Sequence, residues 1–233
     1  MRIADLNWMQ VAAAVARDDR ALLPIGSTEQ HAYLSLATDS LLAERMATDA
    51  ARPLGLPVFP VLAYGITPSF MAYPGTVTLS DDTFTRVVVE VLDGIAGAGF
   101  RRILIVNGHG GNAPLHPLAE RWTAAHAGCR VKVHDWWKAP RTWAKVRALD
   151  PDASHASWME SFPWTRVAGT ATPDERKPMV DPADWRTLAP AGVREVLGDG
   201  SFGGLYRRPD AELDELWAVA IEETRSLLEG DWM

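Results

Sequence analysis

Three stretches of this chain concentrate the residue types that bind divalent cations. The first is Gly26-Ser27-Thr28-Glu29-Gln30-His31, followed by Thr38-Asp39; the second is Asn107-Gly108-His109-Gly110-Gly111-Asn112. Glu29 and His31 are two apart, and in extended backbone residues i and i+2 point the same way, so both side chains can face one cavity. Asp39 opens an apparent helix, where the macrodipole favours a carboxylate. His109 follows an apolar run and is flanked by glycines, which let the backbone come close to a ligand. The third stretch is His155-Ala156-Ser157-Trp158-Met159-Glu160-Ser161. There Glu160 is an acid in apolar company and needs a metal or another cation as partner.

A mixture of imidazole and carboxylate suits Zn²⁺ or Mn²⁺, and the same ligands serve Fe²⁺. Three carboxylates with two histidines point to two ions bridged by one carboxylate, a spacing of about 3.5–4 Å that holds an activated water between them. Read one at a time, these residues have plainer uses: Asp39 as a helix cap, His109 as a hydrogen-bonded loop residue, Glu160 as an exposed acid on a short helix. Their concentration on two strand-end loops is what favours a metal centre. Ser27 and Ser157 lack the Gly-x-Ser-x-Gly setting of a nucleophile. Cys129, at the entry to an apparent strand, reads as a small buried filler. The glycine-rich 107–112 turn does not meet the dinucleotide pattern Gly-x-Gly-x-x-Gly.

The elements that must position these loops are legible from periodicity. Residues 7–18 have helical spacing, with Trp8, Val11, Val15 and Ala16 on one side. Residues 21–26 read as a buried strand, 39–53 as a helix stopped near Pro53, and 58–62 as a second strand. Residues 64–78 form a long loop with two glycines and two prolines, a length that is usually functional. A helix over 82–98, the strongest strand over 102–106, a helix over 113–127 and a strand over 130–134 follow. Strand and helix alternate, which predicts an α/β domain with a mainly parallel sheet and helices on both faces. Ligands of such sheets bind at the carboxyl ends of the strands, where the Glu29 and His109 loops lie. From Trp136 to Gly169 aromatics are frequent and periodicity is weak; residues 170–190 read as a surface excursion and 210–230 as a last amphipathic helix. No repeat or linker divides the chain, so one domain over 1–233 is expected.

Composition narrows the function further. The chain has 233 residues, 47% hydrophobic and 23% charged, enough for a full core. Its net charge of −7 without a basic run argues against nucleic acid and anionic membranes as partners. One cysteine forms no internal disulfide, residues 1–8 hold no long apolar stretch, and no segment is apolar enough to span a membrane, so a cytoplasmic location is expected. Ten tryptophans are many for this length. Five of them crowd around the third stretch, and Trp137 and Trp158 are the best candidates to contact a substrate.

The same three stretches resemble the signatures of the creatininase (creatinine amidohydrolase) family. Pro24 to His31 with Thr38-Asp39 is similar to the first, Asn107 to Asn112 to the second, and His155 with Glu160 five residues on to the third. The resemblance implies a three-layer α/β/α sandwich, two divalent metal ions per chain, a homo-oligomer that is often a hexamer, and hydrolysis of a C–N amide bond in a small, frequently cyclic, substrate. It assigns Glu29, Asp39 and His109 to one metal and His31, Asp39 and Glu160 to the other, with Asp39 bridging. A metal-bridged hydroxide would attack the carbonyl. Backbone N–H groups of Gly110 and Gly111 would help hold the oxyanion, and His155 would act near the substrate as an acid–base or positioning group. The chain departs from creatininase proper at Gly111, where that enzyme has a metal-binding Glu; the ligand role then passes to Glu160. Ala32-Tyr33 replaces a usual Gly-Pro, and Ser157 a usual Gly. These changes weaken creatinine itself as substrate and leave a peptidase or a formylamide deformylase of the same family as the alternative. A scaffold that only oligomerises is the alternative outside enzymes.

Overall fold

A computed structural model describes residues 1–232. Its centre is a parallel sheet of three strands, β1 (Arg20–Ile25), β2 (Arg102–Asn107) and β3 (Arg130–Asp135), in that spatial order. Register pairs Ile25 with Asn107 and Asn107 with Asp135, so the three strands end level. The residues expected to form a strand at 58–62 run alongside β1 but make only isolated parallel bridges, Val58 to Leu22 and Leu62 to Ile25. Pro57 and Pro60 have no N–H to donate, which interrupts the ladder there. The chain thus leaves β1 toward one edge and returns to the other side of β1 for β2. The crevice between the carboxyl ends of β1 and β2 is the switch point where such sheets bind ligands.

Alternation along the strands sorts the core into two layers. Leu22, Leu104 and Val106 pack with Leu42 and Met46 of α2 (Thr38–Ala51), Val146 of α5 (Pro140–Leu149) and Leu213 of α7 (Asp210–Glu229). Leu23, Ile25, Ile103 and Ile105 face the other way, onto α3 (Asp81–Gly97) and α4 (Leu115–Ala125). The result is an α/β/α sandwich in which β1 and β2 are buried on both faces, as their apolar runs require, while β3 at the edge is buried only toward its carboxyl end. Each fully buried Leu or Ile contributes roughly 1.5–3 kcal/mol by leaving water.

Local signals set the ends of the helices. Asn7 and Gln10 form a reciprocal capping box on α1 (Trp8–Arg17), and Ser80 caps α3 through the Thr83 N–H. The inward face predicted for α1 is narrower than expected: Val11 and Val15 pack on the core, whereas Trp8 is 77% exposed. Two helices lie where sequence periodicity was weak, α5 and α6 (Pro190–Leu197). Both start at proline, and each buries only two residues, so neither writes a clear apolar stripe. No helix of the described residues is long and apolar enough to cross a membrane.

Candidate metal centre

Each ligand-bearing loop is tied before its side chains meet. The turn after β1 is held by Thr28 Oγ1 donating to Ala63 O and by the Glu29 N–H donating to Leu36 O. It presents Glu29 and His31, and α2 brings Asp39 in its first turn. Asp39 is not the cap expected as its plain alternative; the cap position is Ala37. After β2, the Asn107 side chain folds onto its own loop, accepting from the His109 N–H (3.2 Å) and donating to His109 O (2.9 Å). Glu160 ends a short 3-10 turn, and its Oε2 accepts the Ala156 N–H at 2.6 Å.

These loops bring all five predicted ligands together. His109 Nδ1 lies 2.9 Å from Asp39 Oδ2 and 3.4 Å from Glu29 Oε1. His31 Nε2 lies 3.1 Å from Asp39 Oδ1 and 3.9 Å from Glu160 Oε2. Two triads result, Glu29–Asp39–His109 and His31–Asp39–Glu160, each with its candidate donor atoms within 4.8 Å of one another. Asp39 belongs to both. A third set of that size, Glu29–His31–His155, shares their members.

The donor atoms suit cations rather than each other. Apart from those contacts with one another, Glu29 Oε2, His31 Nε2 and Asp39 Oδ2 are buried without a hydrogen-bond partner. The outer nitrogens, by contrast, are occupied. His31 Nδ1 meets Glu29 O at 3.2 Å and His109 Nε2 meets Ile66 O at 2.9 Å. A carbonyl only accepts, so each outer nitrogen keeps a proton, and the inner nitrogen is the one that can yield its proton to a cation, as in metal-binding histidines.

Electrostatics show what takes the place of cations in this arrangement. Burial opposes charge on His31, yet Asp39, Glu160 and Glu29 outweigh it and push its pKa up to about 10. His109 is raised in the same way by Glu29 and Asp39 against its own burial. Burial would raise Asp39 as well, but the two imidazoles hold it low. Burial lifts Glu160 to about 7. Two buried carboxylates and the partly buried Glu160 thus demand positive charge, and protons on two histidines supply it where divalent ions would otherwise do so.

The centre opens into a cavity of about 820 Å³. Gly110, Gly111, His155 and Trp137 line it. Trp158 does not: it is fully buried in the core beneath the site, with the Arg208 guanidinium 5.4 Å from its ring, so the expected substrate contact is corrected. Its ring packs inward from the same 3-10 turn that carries Glu160 to the ligands. Sequence reasoning missed the walls contributed by Phe70, Trp143, Trp185 and Phe202. Phe70 belongs to the long 64–78 loop, whose length was the available signal. Trp185 comes from the presumed surface excursion, which is mostly exposed but returns this one ring to the site. At Gly111 a Cβ would run into Ile66 O and the His109 ring, so this backbone has no room for the Glu of creatininase proper.

The sequence model of the Creatininase family, described as creatinine amidohydrolase, matches residues 4–228. The chain belongs to the creatininase family. It is 32% identical to the creatinine amidohydrolase of Pseudomonas putida over 163 residues, which are 64% of this chain and 63% of that protein. It is 34% identical to the 3-dehydro-scyllo-inosose hydrolase of Thermotoga maritima over 45% of this chain and 34% of that protein. The chain therefore spans less than two thirds of either relative. Against the mycofactocin precursor peptide peptidase of Mycolicibacterium smegmatis it is 34% identical over 90% of this chain and 77% of that protein. The crystal structure of a creatininase superposes with a TM-score of 0.81 at 22% identity, covering 99% of this chain and 97% of the other, which shows the shared fold. Solved creatininases include a Zn-Zn type and a Mn form.

Proposed function

We propose that this creatininase-family protein is a metal-dependent hydrolase of amide C–N bonds. The observation that carries the reading is the pair of buried triads that share Asp39, with unpartnered donor atoms turned into the gap between them. Glu29, Asp39 and His109 would hold one divalent ion and His31, Asp39 and Glu160 the other. Zinc and manganese are the candidates, given the ligand chemistry and the forms recorded for relatives. Bound there, the ions would supply Lewis acidity and lower the pKa of a water toward neutrality.

The chain's own residues do the rest. The aromatic walls exclude water and pack against the flanks of the substrate. Gly110 and Gly111 line the cavity, and their backbone N–H groups would supply the donors an oxyanion needs. His155 lines the same cavity and offers a ring nitrogen to the reacting amide. Burial raises the Glu160 carboxyl, and a cation bound beside it would hold it ionised as a ligand.

Substrate size divides two readings. A small, possibly cyclic, amide is the first. A cavity of about 820 Å³ exceeds what one such ring fills, and it favours, as the second reading, a substrate with apolar groups flanking the amide, such as a short peptide. The long match to a precursor peptide peptidase supports that second reading. We also propose a homo-oligomer, a hexamer by family resemblance, which light scattering would check. The decisive experiment strips the purified protein with a chelator and assays lactams, cyclic ureides, formamides and short peptides before and after Zn²⁺ or Mn²⁺ is restored. Activity that appears only with metal, at near two ions per chain, is expected. Full activity without metal sinks the reading, and no metal uptake favours a scaffold.

A further inference from the structure

Gln30 stands between the ligands Glu29 and His31, is 4% exposed, and has both ends of its side chain tied. Its Oε1 accepts the Ala32 N–H at 3.1 Å, and its Nε2 donates to Gly200 O at 3.0 Å. Turning the amide over would set oxygen against the Gly200 carbonyl and nitrogen against the Ala32 N–H. Both contacts would then be lost, so the orientation of the amide is fixed twice. The second N–H of that amide faces His155 Nε2 at 2.9 Å. Since the amide nitrogen only donates, His155 Nε2 has to accept. Nε2 also passes 3.2 Å from Gln30 O, but a proton placed there would oppose the nearer amide N–H. The ring proton therefore sits on Nδ1, the nitrogen on the side of Glu29, whose Oε1 is 3.7 Å away.

We propose that Gln30 is a positioning residue that locks His155 as the Nδ1–H tautomer, making it a hydrogen-bond donor to substrate and excluding it from the metal ligands. The Glu29–His31–His155 set is close enough to ligate, but a protonated Nδ1 offers no lone pair to a cation. The surroundings are built to keep this arrangement. Gly200 has φ of +100° and a Cβ there would strike Gln30 Oε1. Its loop is gripped by Lys177 Nζ, which donates to Leu197 O, Ser201 O and Asp199. The His155 ring itself is stacked on Phe70 and packed against Phe202, which fix the plane in which its two nitrogens lie. The donor role toward substrate rests on the amide-hydrolase reading; the tautomer does not.

The test is NMR of ¹⁵N,¹³C-histidine-labelled protein, before and after loading with zinc. His155 is expected to show the Nδ1–H tautomer in both states, while His31 Nε2 and His109 Nδ1 take the large shifts of coordinated nitrogens. Gln30→Glu, which replaces the donor by an acceptor, is expected to move the His155 proton to Nε2. An Nε2–H tautomer in the unaltered protein, or a coordination shift at His155 Nδ1, overturns the proposal. Activity gives a second arm, because the amide of Asn overlays Nδ1 of histidine and that of Gln overlays Nε2. His155→Asn is expected to keep at least tenfold more kcat than His155→Gln at equal metal content, and the reverse order overturns the donor role. If no amide is hydrolysed at all, the NMR result still stands or falls by itself.

Discussion

His109 and His134 lie at the same end of neighbouring strands, and each is 5% exposed. Their chemistry is opposite. Burial pushes His134 down to about 4, and Glu223 and Asp135 are too weakly placed to reverse it. Its Nε2 donates to Thr224 Oγ1 at 2.9 Å, since that hydroxyl spends its own hydrogen on Ala220 O. His109 suffers the same burial, but Glu29 and Asp39 lift it well above its ordinary value. The sheet interior by itself therefore removes charge from a histidine. Only a cluster of carboxylates restores it, and such a cluster is a place for cations.

The contrast is broken most completely at Asp39. Asp39→Asn keeps the size and removes the charge shared by both triads. Metal content is expected to fall from near two ions to one or fewer per chain, and kcat/KM by more than the ~100-fold that loss of a supporting partner costs. Elemental analysis beside a hydrolysis assay measures both. Retention of two ions would remove Asp39 from its bridging place.

The other member of the pair is sharpened by acid. His134 binds its proton less readily when folded than when unfolded, so the unfolded chain takes up more protons between about pH 6.5 and 4. The stability associated with neutral His134 is complete above about 6.5 and is lost as the pH falls through that window, by about 3 kcal/mol in all. Urea unfolding at pH 7 and 4.5 should show a smaller acid loss in His134→Gln than in the unaltered protein. Parallel losses would contradict the assignment.

A middle-sized effect belongs to Asn107, which connects the two regions. It holds the His109 loop and donates to Asp135 Oδ1 at 2.6 Å, next to His134. Asn107→Ala is expected to weaken metal affinity by ~10–100-fold, the usual cost of losing an outer partner. Chelator competition reads this directly; an unchanged affinity would mean that the loop holds its shape without Asn107.

The polar half of the site was legible in the sequence and the apolar half was not. Glu29, His31, Asp39 and His109 sit at strand and helix ends, where type and spacing carry information. Glu160 was marked by its apolar company, and family resemblance gave it its place among the ligands. Phe70, Trp185 and Phe202 reach the cavity from loops with no period, and nothing local distinguishes an aromatic on a cavity wall from one in the core. Trp158 was misplaced for that reason. The sheet was readable because β1 and β2 are continuous apolar runs buried on both faces, whereas α5 and α6 bury too little to write a stripe. The tie between Gln30 and Gly200 spans 170 positions, a separation that no local pattern records.

Strain distinguishes the two regions on the smallest scale. Among the described residues, the non-glycine residues with positive φ are Ala32 at +49° and Ala156 at +56°. Both flank the metal centre, next to His31 and His155, and neither lies near His134. Ala32 occupies the position where the family usually has glycine, and its strained N–H is the one that fixes Gln30 Oε1. A left-handed alanine costs about 1–2 kcal/mol, and glycine loses roughly 0.5–1 kcal/mol through its freer unfolded chain. Ala32→Gly should therefore be mildly stabilising, by about 0.5–1 kcal/mol, which for a chain of this size is ~2 °C in Tm. Calorimetry at fixed metal content measures it. A fall in Tm of similar size would mean that the Ala32 methyl contributes packing that outweighs the strain of its backbone.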